Sequence, residues 1–263
     1  MDMKANLRVF ISSIFLQMRQ SFGRSMFRFC MIVYPILYGF TLYMIYMDSS
    51  NEKIINYVMF GTAVASLWGT ISFSSAGDID RERFMGALEI IFNSPTNFFL
   101  IMFGKVVGNT ILGTLSMLIS IFFVSIAFSI PIIIVDLSKF ILVFIIGLSS
   151  FIGIAMMLSG LLAVSRSTRI FMNILDYPMM ILSGVAFPIS LLPSSLIPIS
   201  YSLAPTHFLL LIRMCISGID NLHSFYIHLG YLIGLTTIYG ILSYFLYKII
   251  DIKAREKATL GVI

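Results

Sequence analysis

The chain has 263 residues, of which 59% are hydrophobic and only 11% are charged, whereas about a quarter of residues are charged in soluble domains. Its mean hydropathy is +0.99. So few charged groups cannot cover a water-facing surface, which excludes a soluble globular protein and predicts an integral membrane protein. The net charge of +5 does not indicate a nucleic-acid partner, because the basic residues are sorted by membrane side and form no patch.

The first segment, 1–25, predicts an interfacial helix. Its apolar residues recur at helical spacing, but the run is too short to cross a bilayer and is interrupted by charge. We therefore expect it to lie along the inner leaflet. A signal peptide is the alternative, and it is disfavoured because no small-residue cleavage site follows the apolar run.

Six apolar stretches are long enough to span a membrane, at 29–47, 54–76, 106–130, 140–164, 170–187 and 226–247. Six crossings put both termini on one side, and that side receives 14 of the 17 Lys and Arg residues. The positive-inside rule then predicts cytoplasmic N- and C-termini. The predicted fold is an all-α polytopic membrane protein of the inner (cytoplasmic) membrane, with a single transmembrane domain over 1–263.

The long external connection, 188–218, is punctuated by prolines and holds two apolar stretches too short to span. This pattern predicts a re-entrant helical hairpin in the outer leaflet, between spans five and six.

The sequence does not show the residue spacings of a histidine metal site or of a nucleotide-binding catalytic site. The three histidines, His207, His223 and His228, are expected to be wet or interfacial, and their spacing is not that of a metal site. No G-x-x-x-x-G-K-[ST] loop is present, so the chain is predicted to be no ATPase and to bind no cofactor itself. Cys30 and Cys215 fall at opposite ends of this topology and are not expected to form a disulfide.

Charged residues inside spans cost roughly 2.5–3.5 kcal/mol on insertion scales, so they are candidates for function. Asp176, with Asn173 one turn before it, is a possible intramembrane polar site. We expect Asp176 to hydrogen-bond a neighbouring helix or to pair with Arg166 or Arg169, and a substrate or proton role is the alternative. Lys105 is expected to snorkel to the cytoplasmic interface.

Small residues recur at a spacing of four in two spans. Gly61, Ala65 and Gly69 line one face of the second span, and Gly104 and Gly108 form a Gly-x-x-x-Gly pair that enters the third. Such faces allow close helix packing in lipid, either inside the chain or across a dimer.

The second cytoplasmic connection carries a short amphipathic segment, 81–93, that Asn93, Ser94 and Pro95 end. Phe84, Leu88 and Phe92 are predicted to share an apolar face, with Glu82, Arg83 and Glu89 as rim contacts. Such a helix is either an ordinary surface helix or an element that a motor subunit could push.

This stretch resembles the transmembrane subunits of type-2 ABC exporters, through Arg81-Glu82-Arg83, Gly86-Ala87-Leu88-Glu89, Ser94-Pro95 and Gly104-Lys105. A second block is similar to the external re-entrant segment of that family, through Phe187, Pro188, Pro193, Pro205, Thr206 and Arg213. The order and membrane sidedness of the two blocks make the likeness specific, and the first block looks most like the drug-exporter or multidrug-exporter branch.

The resemblance implies a permease that pairs with a second protomer, identical or different, and binds two cytoplasmic ATPase subunits that carry ATP and Mg. It implies coupling to the ATPase through ten positions: Arg81, Glu82, Arg83, Phe84, Gly86, Leu88, Glu89, Phe92, Ser94 and Pro95. Phe84 and Met85 replace commonly polar family positions, and Asn97-Phe98 stands where basic residues or proline are frequent, which leaves the identity of the ATPase open.

The expected function is therefore export of an amphipathic or hydrophobic molecule, such as a drug, an antimicrobial peptide or a lipid, along a path lined by spans one, two and five. An exporter of lipid-linked polysaccharide is the alternative within the family. A stand-alone secondary transporter or channel is the alternative outside it, but it would need more intramembrane ionisable groups and paired broken helices. An intramembrane enzyme would need His, Asp or Glu groups converging at one depth.

Overall fold

The computed structural model describes residues 3–46, 52–87, 90–91, 94, 96–129, 134–164 and 176–257. These residues form helices and no strand, so the all-α class is confirmed. The helices are α1 Met3–Phe22, α2 Ser25–Tyr46, α3 Glu52–Phe84, α4 Phe98–Ala127, α5 Leu137–Val164, α6 Ile197–Tyr201, α7 Ala204–Ser217 and α8 Leu222–Lys257, with a 3-10 turn at Ile189–Leu191.

Among the residues that the structure describes, four helical stretches are long and apolar enough to cross a membrane: Ser25–Tyr46, Phe98–Ala127, Leu137–Leu162 and Leu222–Ile252. They coincide with the predicted first, third, fourth and sixth spans, and the chain is a multi-pass membrane protein. The second predicted span lies in α3, whose apolar stretch Val58–Ser74 is shorter. The fifth, 170–187, begins in residues outside the described part, and its remainder is helical over 176–182.

α3 is the centre of the bundle, since it packs against α2, α4, α5 and α7. Met59, Ala63 and Leu67 are fully buried on it. Burying the small polar side chains of α3 costs little free energy, because Ser66 and Thr70 donate to backbone carbonyls one turn earlier, at 2.7 and 2.8 Å. A shift of α3 therefore acts on most of the bundle at once.

α1 packs on the bundle through its polar face. Ser13, Gln17 and Ser21, at successive helical turns, are buried, whereas Leu7 and Phe15 are 58% and 68% exposed. Its apolar residues are divided, since Leu7 and Phe15 are exposed whereas Phe10 stacks on Phe103 of α4 with ring centroids 5.5 Å apart.

The contact between α1 and α4 depends on the Gly-x-x-x-Gly pair. A Cβ atom on Gly104 would lie 2.8 Å from Ser13 Cβ, and one on Gly108 would lie 2.8 Å from the Ile14 carbonyl oxygen. Any larger residue would force the helices apart, so this small-residue pair serves packing within the chain.

α7 lies against α5 and α8 in the connection predicted to be re-entrant. Phe208 is fully buried against α5, where its ring meets Phe151 edge-on with centroids 5.6 Å apart. Pro205 occupies the first turn of α7, which suits a residue without an N–H donor.

Candidate functional site

The predicted coupling helix begins later than the sequence suggested. α3 does not stop at residue 76 but continues as one helix through Phe84, so Arg81, Glu82 and Arg83 belong to the end of α3. The separate start expected at Arg81 is therefore wrong. The helix continues because Asp78 and Glu82, on one face, find buried partners on other helices.

α3 ends at a turn that requires glycine. Met85 N donates to the Arg81 carbonyl at 2.9 Å, and Gly86 follows with a φ of +68°. This left-handed conformation is the common end of a helix and favours glycine, which accounts for Gly86 in the resembling block. Beyond the turn, Ala87, Ile90 and Ile91 are again helical.

Five polar side chains from α1 to α4 meet behind this turn, and we call them the polar cluster: Gln17, Ser21, Arg24, Asp78 and Asn109. Gln17 Nε2 donates to an Asp78 carboxylate oxygen and, at 3.0 Å, to Asn109 Oδ1. Asn109 Nδ2 donates to Asp78 Oδ2 at 3.1 Å, and Arg24 Nη2 lies 2.8 Å from Asp78 Oδ1. Gln17, Ser21 and Asn109 are at most 1% exposed. One carboxylate thus joins α1, α3 and α4.

A buried ion pair lies one turn closer to the end of α3. Lys105 Nζ of α4 donates to Glu82 Oε1, and the two side chains are 9% and 8% exposed. Lys105 therefore does not snorkel as predicted, because its charge is matched inside the bundle. The prediction of Glu82 as a rim contact is also wrong, since that position faces α4.

Among the remaining predicted coupling residues, some side chains are hydrogen-bonded within the chain and Phe84 is exposed. Arg83 Nη2 donates to the Leu162 carbonyl near the end of α5, at 3.2 Å. Phe84 is 93% exposed. Ser94 Oγ donates to the Ile91 carbonyl at 2.8 Å. Four predicted coupling positions lie outside the described residues: Leu88, Glu89, Phe92 and Pro95.

This geometry makes the end of α3, the start of α4 and α1 one mechanical unit. The buried Asp78 carboxylate accepts hydrogen bonds from Gln17 and Asn109 and is ion-paired with Arg24, and it resists displacement because separating it would leave an unpaired charge out of water. The segment that leads into the turn after Phe84 is therefore tied to α1 and α4 through buried polar contacts.

The pattern of a known family, described as an ABC-2 family transporter protein, matches residues 44–245, well over half of the chain. The chain belongs to the ABC-2 transporter family. No curated protein sequence matches it. Membership makes the chain a transmembrane permease of an ABC transporter, which associates with an ABC ATPase, and it agrees with the resemblance seen in the two sequence blocks.

Asp176, the predicted intramembrane carboxylate of this ABC-2 permease, is hydrogen-bonded to α3. Trp68 Nε1 of α3 donates to Asp176 Oδ1 at 2.6 Å. Hydrogen bonding to a neighbouring helix was the expected role of Asp176. Asn173, Arg166 and Arg169, its other predicted neighbours, lie outside the described residues.

The second sequence block of the permease, predicted to be external, is folded. Arg213 Nη2 donates to the Gly184 carbonyl at 3.2 Å, and Gly184 has a φ of +75°. Pro188 precedes the 3-10 turn, and half-buried Phe187 lies beside it. Thr206 is fully buried in the first turn of α7, whereas Pro193 is exposed.

A histidine pair that sequence reasoning missed joins this block to α8. Nδ1 of His207 lies 3.1 Å from Nδ1 of His228, and His207 Nε2 donates to the Tyr201 carbonyl at 2.8 Å. His207 is 1% exposed, so the expectation of a wet histidine is wrong there. Burial lowers the pKa of His207 below its ordinary value, which favours the neutral ring. The pair ties α6, α7 and α8 together.

The polar cluster was the other element that the sequence did not reveal. Gln17 and Ser21 are one helical turn apart in an apolar segment, and Asn109 lies in an apolar span. Polar side chains at such positions are the available signal, because they need partners in lipid.

Proposed function

We propose that this chain is the membrane subunit of an ATP-driven exporter, and that a separate ATPase drives it by pushing on the turn between α3 and α4. The cargo is an amphipathic or hydrophobic molecule that leaves the cytoplasm between two permease protomers. The observation that carries the proposal is a turn with an exposed apolar surface in front and a buried ionic anchor behind.

The anchor supports a lever. Glu82 and Lys105 join α3 to α4, Asp78 joins α3 to α1, and Arg83 reaches the end of α5. α3 also packs on α2, α5 and α7 farther along the bundle. A push on the turn would therefore tilt α3 and α4 together and shift the helices beside them.

The exposed surface supports a protein partner. Phe84, Met85 and Ile90 are 93%, 68% and 74% exposed at one turn. They lie beyond the apolar stretch of α3, on the predicted cytoplasmic side, where water rather than lipid would surround them. Clustered apolar side chains at such a place mark an interaction site, and the basic Arg81 and Arg83 flank it.

The test is retention of the ATP-binding subunit that co-purifies with the chain. Phe84→Ala and Met85→Ala should weaken that association by about 1–4 kcal/mol each, the usual range for interface anchors, while the membrane part stays folded. Leu191→Ala is the matched control, because it removes an apolar side chain that is 71% exposed in the connection predicted to lie on the external side.

Co-purification and transport should be unchanged in the control. If the variants at the turn also retain the ATPase and its substrate-stimulated hydrolysis, the turn is an ordinary surface segment and the proposed coupling is wrong.

A further inference from the structure

Asp176 is an intramembrane carboxylate with one oxygen in use. Its Oδ1 accepts from Trp68 Nε1 at 2.6 Å. Within the described ranges, no donor or cation lies on Oδ2. One neutral donor offsets only part of the desolvation of a carboxylate, so Asp176 retains the capacity to bind a cation.

Aromatic side chains from three elements lie in the neighbourhood of this carboxylate. Trp68 belongs to α3, Tyr34 to α2 and Tyr177 to the 176–182 helix. Tyr34 lies beside Gly69, the residue after Trp68, and it stacks on Tyr38 with centroids 5.8 Å apart and planes 8° apart. Ring faces attract organic cations, and several of them around one charge form a cation site.

The site is closed on one side and open on the other. Trp68 is only 5% exposed, whereas Tyr34 and Tyr177 are 39% and 71% exposed. The ring of Tyr34 lies beside Gly69 of α3, where a Cβ atom would be 3.6 Å from it. A buried indole therefore holds the carboxylate in place, and the two tyrosines are accessible from outside the helix bundle.

We propose that Asp176, Trp68, Tyr34 and Tyr177 bind the cargo of this permease, and that the cargo is a hydrophobic organic cation. The inference rests on the proposed function, whose cargo path runs between spans one, two and five, which hold these residues. A small metal cation would need several oxygen ligands, whereas a lipophilic cation needs one counter-charge and ring faces.

The test compares two ions of the same shape and opposite charge, tetraphenylphosphonium and tetraphenylborate. Each is titrated by equilibrium dialysis into the full-length chain in lipid nanodiscs, with subtraction of empty nanodiscs. Asp176→Asn keeps an acceptor for Trp68 but removes the charge, so tetraphenylphosphonium should bind about tenfold more weakly or worse. Tetraphenylborate should bind the variant as well as, or better than, the natural chain.

Two features make this experiment selective. Asp136→Asn is the control, because the same change is made at a half-exposed carboxylate paired with Lys139, far along the sequence from the site. Trp68 is the only tryptophan of the chain, so its fluorescence in detergent–lipid micelles reports occupancy at this place independently.

Equal binding of tetraphenylphosphonium to the natural chain and to Asp176→Asn would overturn the inference. That result is expected if Asp176 is already paired with Arg166 or Arg169 inside the chain. Loss of the ATPase from the complex tests the proposed function separately. A variant that keeps its ATPase but shows no charge effect refutes the cation site alone.

Discussion

The buried pair between Glu82 and Lys105 gives the sharpest test of the lever. The change is Lys105→Met, which keeps most of the side-chain volume and removes the charge. Both partners are less than 10% exposed, so water screens the pair weakly. Removing Lys105 leaves the Glu82 carboxylate buried without its counter-ion.

The expected loss in the free energy of unfolding is about 3–5 kcal/mol, the range for breaking one side of a buried pair. Glu82→Met should cost less, because a freed lysine can extend its ammonium toward the interface. The double variant should recover much of the loss. Glu82 Oε2 is buried with no hydrogen-bond partner among the described residues, so the pair itself is incompletely satisfied.

The assay is reversible unfolding in mixed SDS micelles followed by circular dichroism, on the two single variants and the double variant. The double-mutant cycle isolates the pair, and we expect a coupling energy of about 2 kcal/mol or more. Lys139→Met is the control, because its pair with Asp136 is 3.6 Å long and about one-third exposed. Such a surface pair contributes at most about 1 kcal/mol.

The stabilising role of the buried pair is refuted if Lys105→Met lowers the free energy of unfolding no more than Lys139→Met does. It is also refuted if the two single losses simply add in the double variant, since independent effects would mean that Glu82 and Lys105 do not stabilise each other.

Three further predictions follow from other contacts. Gly108→Val should detach α1 and raise hydrogen exchange over 3–22, whereas an α1 that stays protected would contradict the close contact with α4. Burial lowers the pKa of His207 from 6.5, so its contribution to stability is present above pH 6.5 and is lost as the pH falls below that value. The melting temperature should therefore drop less between pH 7.5 and pH 5.5 in His207→Gln than in the natural chain. An equal drop in both would refute a role of His207 in this pH dependence. An impermeant thiol reagent should label Ser194→Cys in intact cells but not Ser94→Cys, and the reverse result would invert the predicted topology. Cys215 should stay unlabelled in both variants, because it is buried and burial raises the pKa of its thiol to about 11.

Hydropathy predicted the helices well because lipid imposes a simple rule. A spanning segment must be long, apolar and hydrogen-bonded within itself, and these properties can be read from about 20 consecutive residues. Local signals for the end of α3 and the start of α4 are present in the sequence, but the predicted spans 54–76 and 106–130 did not use them. Gly86 follows two basic residues, which is typical of a helix end, and Asn97 Oδ1 accepts from Phe99 N at the start of α4.

The continuation of α3 through Glu82 could not be read locally. Asp78 and Glu82 resemble loop residues until Gln17 and Lys105 are brought to them by folding. The same limit applies to α1, since periodicity reveals two faces but not which of them meets protein. In lipid the apolar face already has a suitable solvent, so the face with Gln17 turned inward instead.

The polar face of α1 also sets an order of assembly during synthesis. α1 is synthesised before α4, and Asn109 of α4 lies 92 residues after its partner Gln17 in the chain. Until α4 has been made, α1 lacks the helix that packs on it through Gly104 and Gly108, and its apolar residues allow it to rest on the membrane surface. α1 thus completes its docking only after α4 is made, and a nascent chain halted before residue 109 would hold α1 undocked.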